Sequence, residues 1–292
     1  MKNLIITGAY GFLGAALIKH FLVSNHYKIT ILVKSNTNNY RISDDDLRKL
    51  NIIYVDKTEY KHKLHDIKSP IIFHAANDYG RDKSLTQILS TNLVFPLELI
   101  EHVTPRIFIN FDSYFNKNNS NYSYLGNYIL SKKLLEISLE NFKKIKIVNL
   151  KLEHLYGPND GENKFISQLI MALKKAKSYN TTEGIQKRDF LYIDDLIKLV
   201  EEIVEKQSLF QNKYHHFEVG TGKSICVKDF IIEAKNIFNS QTAICFGALP
   251  VRENEIMDSF ADLDLLPNFL NWKPCTNIQK GLNFIKELEN EN

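Results

Sequence analysis

Hydrophobic and polar positions change period repeatedly along the first 110 residues. Leu4-Ile5-Ile6, Lys28 to Val33, Ile52 to Val55, Ile71 to Phe73 and Ile107 to Asn110 are short runs rich in β-branched residues, the pattern of buried strands. Between them, Phe12 to Val23 and Leu85 to His102 carry apolar residues at helical spacing. Strands that alternate with helices pack as right-handed βαβ units, which predicts a parallel sheet covered by helices on both faces. Further along, a polar loop from Asn116 to Ser123 leads to a predicted helix from about Tyr124 to Phe142 and a strand over Ile145 to Leu152. Beyond Tyr156-Gly157-Pro158 the alternation loosens, and Arg188 to Ile193 reads as one more strand feeding a helix that starts near Asp194-Asp195. The fold class expected is α/β: a doubly wound parallel sheet followed by a smaller C-terminal α/β lobe.

Composition narrows the function classes. The 292 residues are 44% hydrophobic and 24% charged, which excludes a disordered or fibrous chain. Lys+Arg 37 against Asp+Glu 34 leaves a net charge of +3, with the lysines scattered, so neither nucleic acid nor a membrane surface is an expected partner. No apolar run approaches the ~20 residues that span a bilayer, and the first strand begins at once with no signal-peptide layout. A cytoplasmic location is the expectation. Cys226, Cys245 and Cys275 are odd in number and lack zinc-site spacing, so no metal site or disulfide framework is expected.

The first candidate chemistry lies between the first strand and the first helix, in Thr7-Gly8-Ala9-Tyr10-Gly11-Phe12-Leu13-Gly14. Gly8 permits a tight turn, Gly11 lets backbone N–H groups approach a pyrophosphate, and Gly14 allows close helix–strand packing. This is the dinucleotide cradle of a Rossmann fold, with Gly8, Tyr10, Gly11, Phe12, Leu13 and Gly14 as its expected lining. At the end of the second strand the sequence is Ile31-Leu32-Val33-Lys34-Ser35. No acid stands there to hold an adenosine ribose, and Lys34 favours a 2′-phosphate, hence NADP(H) over NAD(H). Asp56, closing the third strand, is the expected neighbour of the adenine.

The second candidate is Tyr128-Ile129-Leu130-Ser131-Lys132, which places a phenol and an ammonium one turn apart on a helix face. A lysine near a phenol favours the phenolate and would lower its pKa, making Tyr128 a proton donor or acceptor near neutrality. Among the 14 tyrosines, Tyr122 and Tyr124 lie close by, yet of these three only Tyr128 has a lysine four residues on.

Together the glycine loop and the Tyr128/Lys132 pair resemble the extended branch of the short-chain dehydrogenase/reductase superfamily, the nucleotide-sugar epimerases, dehydratases and reductases. His74-Ala75-Ala76, Asn92, Tyr156-Gly157-Pro158, Gly184 with Arg188-Asp189-Phe190, Asp194-Asp195, Val219-Gly220-Thr221-Gly222, Arg252 and Trp272-Lys273-Pro274 fall in that family's order. The segments Leu152 to Ile166 and Phe246 to Arg252 are similar to a narrower group, the CDP-abequose synthases and dTDP-4-dehydro-6-deoxyglucose 4-reductases, which serve O-antigen or capsule synthesis.

The resemblance implies an enzyme in which NADPH reduces the C4 ketone of a nucleotide-diphosphate 4-keto-6-deoxy sugar. It implies Tyr128 as proton donor, Lys132 on the nicotinamide ribose, and Ala75, Ala76 and Asn92 on the cofactor side. Phe111 stands where the family carries a hydroxyl, which leaves Ser113 as the third catalytic candidate. Asp112, Asn163, Lys164, Arg188 and Arg252 are implied on the substrate side, the arginines as bidentate partners of a diphosphate. His154 is read as structural. Residues 1–152 and about 184–206 are expected to form the NADP-binding domain, about 153–183 and 207–292 the nucleotide-sugar lobe, and the chain a homodimer. An epimerase or dehydratase using bound NAD stays open as an alternative, although Asp112 followed by Ser113 lacks the dehydratases' Asp-Glu pair. A non-catalytic NADP-binding sensor or scaffold is the alternative of another class.

Overall fold

The computed structural model describes residues 1–117, 122–175 and 177–290, so part of the loop read at Asn116 to Ser123 lies outside the described residues. A seven-stranded sheet is formed by β1 (Lys2–Thr7), β2 (Tyr27–Val33), β3 (Asn51–Tyr54), β4 (Ile71–His74), β5 (Ile107–Ser113), β6 (Lys146–Leu152) and the strand Tyr214–Val219. From one edge the order is Tyr214–Val219, β6, β5, β4, β1, β2, β3. β1 pairs in parallel with β2 and β4, β2 with β3, and β4 with β5. The chain therefore winds outward from β1 in one direction and from β4 in the other. The fold is the α/β Rossmann type expected, and its ligand crevice lies by rule beyond the strand ends where the winding reverses. Leu4, Ile5 and Ile6 are each 0% exposed, so this strand is an unbroken apolar run instead of an alternating one.

Helix α1 (Phe12–Val23) has the expected bounds. Leu85 to His102 differs: it is an α-helix over Leu85–Leu89, a π-helical turn over Ser90–Val94 and an α-helix over Phe95–Val103. Pro96, at the start of the last segment, has no N–H to offer the Asn92 carbonyl one turn back, and the Asn92 side chain, 1% exposed, turns inward within the π turn. The helix expected from Tyr124 begins instead as a 3-10 turn, Ser123–Leu125, followed by Gly126–Leu139. The strand expected over Arg188 to Ile193 is two, Lys187–Arg188 and Phe190–Tyr192, in different small sheets. Asp189 between them is wholly buried, and its carboxylate accepts Thr221 N, Thr221 Oγ1 (2.6 Å) and Gly222 N (2.9 Å), which breaks the run.

The described residues divide into two compact units, one within 1–119, 125–151 and 199–217, the other within 120–124, 152–198 and 218–292. The stretch expected to return to the first unit, about 184–206, thus divides at 198/199, and most of the strand Tyr214–Val219 belongs with the first unit. Ile5, Leu32, Ile72, Phe108, Leu135 and Ile147 anchor the first unit's core. In the second, Phe190 stacks on Phe230 (4.2 Å between centroids), and Tyr156 meets Phe190 and Phe230 edge-on. There Trp272 Nε1 donates to the Asp195 carbonyl (2.7 Å), while Asp195 Oδ2 accepts Cys275 N (3.1 Å) and Thr276 N (2.8 Å). Among the described residues, no helix is long and apolar enough to cross a membrane.

A polar knot ties β1 to β4. Thr7 Oγ1 accepts Ala76 N (3.1 Å) and pairs with His74 Nδ1 (2.9 Å). Burial holds the His74 imidazole down at about 3, and the nearby Lys132 charge adds to this. Because the unfolded chain protonates this histidine near 6.5 and the folded one does not, folded stability is present above that pH and is lost as pH falls towards 3. Urea unfolding followed from pH 7 to pH 5 is expected to lose up to about 1.4 kcal/mol per pH unit through His74. The slope should be shallower in His74→Asn.

Candidate active site

The glycine loop is built as its sequence predicts. Gly8 has φ +63, and a Cβ there would lie 2.5 Å from Ala76 N and 2.6 Å from Ala75 C. A Cβ on Gly14 would lie 2.2 Å from Gly8 O. Ala75 and Ala76 thus meet the loop through their backbone, held there by the Thr7 hydroxyl. Gly11 caps α1 in extended conformation with no side-chain bond, so the N–H groups of the first turn, including those of Phe12 and Leu13, carry no side-chain cap. A Cβ on Gly11 would meet only Gly8 O, at 3.1 Å. A bare helix N-terminus beside an open cradle fits a pyrophosphate.

At the end of β2, Lys34 is exposed. Asp56 Oδ1 accepts Ser35 N (2.9 Å) and its Oδ2 accepts the Ser35 hydroxyl (2.5 Å), which joins the ends of β2 and β3. A second cation, absent from the sequence reading, stands near the loop: Arg41 Nη1 donates to the Tyr10 carbonyl (3.2 Å) with its guanidinium over the Tyr40 ring. Nothing in its local sequence marks it.

Tyr128, Lys132 and Ser113 come together in the first unit. Tyr128 is 3% and Lys132 3% exposed, and the Lys132 ammonium lies 5.8 Å from the Tyr128 ring centroid. The Lys132 Nζ donates to the Phe111 carbonyl (2.9 Å), and Ser113, at the end of β5, hydrogen-bonds with the Tyr128 hydroxyl. The expected lowering of the phenol is corrected here. Burial pushes the Tyr128 phenol well above the usual tyrosine value, Tyr79 and Asp112 push the same way, and bonds to Ser113 and Asn77 pull it back. Burial lowers the Lys132 ammonium, against which the Asp112 charge acts.

Two predicted ligand contacts are turned inward. Asp112, 4% exposed, accepts Ser113 N (2.8 Å), Asn116 Nδ2 (3.0 Å) and Asn149 Nδ2 (3.1 Å). Burial raises its carboxyl, with Lys132 and the amides opposing. Asn92 Oδ1 accepts Asp78 N (2.8 Å), while its Nδ2 donates to Asp78 O (2.8 Å) and Ser131 Oγ (2.9 Å). It pins the turn after β4, whose Asn77 and Tyr79 reach Tyr128, two contacts that no pattern in the sequence signalled.

In the second unit, Glu255 joins the two predicted arginines. Arg188, 4% exposed, pairs with Glu255 Oε1 (2.5 Å) and donates to the Lys187 and Ile256 carbonyls. It is not the open guanidinium that a bidentate diphosphate contact needs. Arg252 is half exposed, 4.0 Å from Glu255 Oε2, donates to the Tyr122 hydroxyl (3.0 Å) and lies over the Tyr124 ring (4.1 Å). Tyr122 and Tyr124 thus hold an arginine. Asn163 is exposed, and Lys164 N closes a turn on Gly161 O (2.9 Å). His154 is held neutral, at about 3, by burial, with the charges of Arg188 and Lys164 adding to it.

Comparison with known proteins bears on the fold and the family. Residues 4–220 match the NAD dependent epimerase/dehydratase family. CDP-abequose synthases are similar over 96% of this chain and 96% of their own, at 33% identity in Salmonella muenchen and 34% in Salmonella typhimurium. Among solved structures, a UDP-glucose 4-epimerase from Thermotoga maritima superposes with TM-score 0.80 at 20% identity, covering 99% of both chains. A dTDP-glucose 4,6-dehydratase from Bacillus anthracis does so with TM-score 0.79 at 15% identity, covering 100% of this chain and 97% of its own. At those identities the likeness is one of fold.

The Arg188–Glu255 pair is buried on both sides, at 5% and 9% side-chain exposure. Glu255→Ala removes the carboxylate paired with this buried guanidinium and is expected to cost about 3 kcal/mol in folding free energy, read by urea unfolding.

Proposed function

Because this chain belongs to the NAD dependent epimerase/dehydratase family, whose Rossmann fold binds NAD(P), we propose that it reduces the C4 ketone of a nucleotide-activated 6-deoxy-4-hexulose with NADPH. The observation that carries this reading is the buried constellation of Tyr128, Lys132 and Ser113 beside the end of β5. The similarity to CDP-abequose synthases across 96% of the chain favours CDP-4-dehydro-3,6-dideoxyglucose, giving CDP-abequose. The second substrate to test is dTDP-4-dehydro-6-deoxy-D-glucose, giving dTDP-D-fucose. Either product would serve O-antigen or capsule synthesis.

The bound nicotinamide supplies the hydride. Tyr128 gives its phenolic proton to the ketone oxygen, so the carbonyl becomes an alcohol and a phenolate remains. Lys132 compensates that negative charge and holds the nicotinamide ribose. Ser113, hydrogen-bonded to the phenol, orients the carbonyl oxygen. Asp112 faces three amide donors, and no second acid follows it, so the acid–base pair needed to eliminate water is missing. Lys34 and Arg41 supply positive charge suited to a 2′-phosphate, which favours NADP(H). Asp56 stands ready for the adenine. Arg252, braced by Tyr122 and Tyr124, is offered to the diphosphate, and Asn163 and Lys164 to the sugar nucleotide. Leu130 (41% exposed) and Ile137 (52%) on the Tyr128 helix support a homodimer built on that helix.

Absorbance of NADPH, with NADH in parallel, is followed on adding each ketone, and the product is identified by NMR. Oxidation with the CDP-linked ketone and a galacto-configured product are expected; no oxidation with either ketone would overturn the assignment. Tyr128→Phe is expected to lose about 10³-fold in turnover while NADPH binding survives. Lys34→Ala should raise the KM for NADPH more than that for NADH. Sedimentation velocity is expected to give a dimer that Ile137→Asp dissociates.

A further inference from the structure

The turn after β4 has no part in the proposed reaction so far, yet it reaches the proton donor directly. Its backbone is fixed at Asp78 by the Asn92 amide, and at Gly80 by φ +75 and by Asp78 Oδ1, which accepts Gly80 N (2.9 Å). Asp78 also forms an ion pair with Lys83. The anchor is shared with the Tyr128 helix. Ser131 Oγ accepts from Asn92 and donates to the Tyr128 carbonyl (2.7 Å). A turn held this firmly can present side chains accurately.

It presents two. The Tyr79 ring stacks on the Tyr128 ring, with centroids 4.9 Å apart and planes at 28°, while Phe115 meets the same ring edge-on at 6.4 Å. Asn77 Nδ2 lies 3.4 Å from the Tyr128 hydroxyl, and Asn77 Oδ1 is buried with no hydrogen-bond partner among the described residues. Whichever way the amide is turned, one polar atom faces the phenol and the other is left buried and unpaired. Leaving such an atom unpaired is costly, and a bound ligand's hydroxyl would relieve it.

We infer that the Asn77-Asp78-Tyr79 turn is a further positioning element of the site: Tyr79 shields one face of the Tyr128 phenol, and the Asn77 amide joins the phenol oxygen to a hydroxyl of the bound ligand. That hydroxyl belongs to the nicotinamide ribose or to the hexose, the two polyhydroxy groups in the proposed reaction. The inference deepens that reading, but the titration that tests it needs no substrate. Tyr79 is 40% exposed, so shortening it opens the phenol to water without hollowing a core.

The protein is labelled with ¹³Cζ-tyrosine and titrated by NMR, the Tyr128 resonance being identified by its loss in Tyr128→Phe. Tyr128 is expected to ionise about one pH unit lower in Tyr79→Leu than in Tyr79→Phe, which keeps the ring and shares the loss of the Tyr79 hydroxyl. Asn77→Leu keeps the volume and removes both polar atoms. It is expected to weaken either NADPH affinity, read by fluorescence and marking the ribose hydroxyl, or the KM of the sugar nucleotide, marking the hexose, by about tenfold. Tyr128 titrating alike in Tyr79→Leu and Tyr79→Phe, or neither constant moving in Asn77→Leu, overturns the inference. A shifted Tyr128 in a protein that reduces neither ketone would instead remove the proposed reaction and leave the shielding by Tyr79 standing.

Discussion

A lysine ammonium with 3% exposed surface has to be compensated by the protein, and much of the first unit is arranged to do so. Lys132 reaches the Phe111 carbonyl and the field of Asp112, whose own carboxylate is buried and must in turn be paired. That second requirement recruits Asn116 and Asn149, and through them Asn110 (2.6 Å from Asn149 Oδ1) and Glu136 (2.8 Å from Asn116 Nδ2). Glu136 is closed by Lys151 at 2.9 Å. One charged group on a helix thus fixes polar residues on β5 and β6, strands that composition alone would make wholly apolar. Such networks hold together only when nearly every member is satisfied, so the phenol beside Lys132 inherits a rigid setting.

The parts of this arrangement that were legible in the sequence are those governed by local rules. The period of apolar residues located β1 to β5 and α1, and the glycine spacing located the cradle, because both depend on neighbours within a few positions. The neighbourhood of Ser113 and Tyr128 was legible too, from a serine at the end of the strand that precedes the Tyr128 helix. Asn77, Tyr79 and Arg41 were not legible, since each matters through a contact with an element distant in sequence. Asn92 was read as a cofactor contact, when its amide is spent on Asp78 and Ser131; the π turn in which it sits has no period to reveal it. The expected fall in the Tyr128 pKa failed for a similar reason. Spacing reports that a lysine is near, but not how much water has been removed from the phenol.

In the second unit, motif residues that stand out in the chain are chiefly structural. Asp189 satisfies the N–H groups of Thr221 and Gly222, and a Cβ on Gly220 would lie 2.3 Å from its Oδ2, so aspartate and glycine require each other. Arg188 next to it is held by Glu255 and two carbonyls. Arg252 differs in keeping half its surface open while two tyrosines brace it. An arginine's neighbours, more than its presence in a motif, decide whether it can meet a phosphate.

The indole that closes on Asp195 is the chain's only tryptophan, and it is 9% exposed. Intrinsic fluorescence excited at the red edge therefore watches the second unit and nothing else, whereas the far-ultraviolet dichroism of the central sheet is weighted towards the first. The protein carries its own pair of optical channels for its two halves. Coincident denaturation curves in both channels would mean that the units melt as one cooperative block, and separated curves would give each unit its own stability without any label being attached.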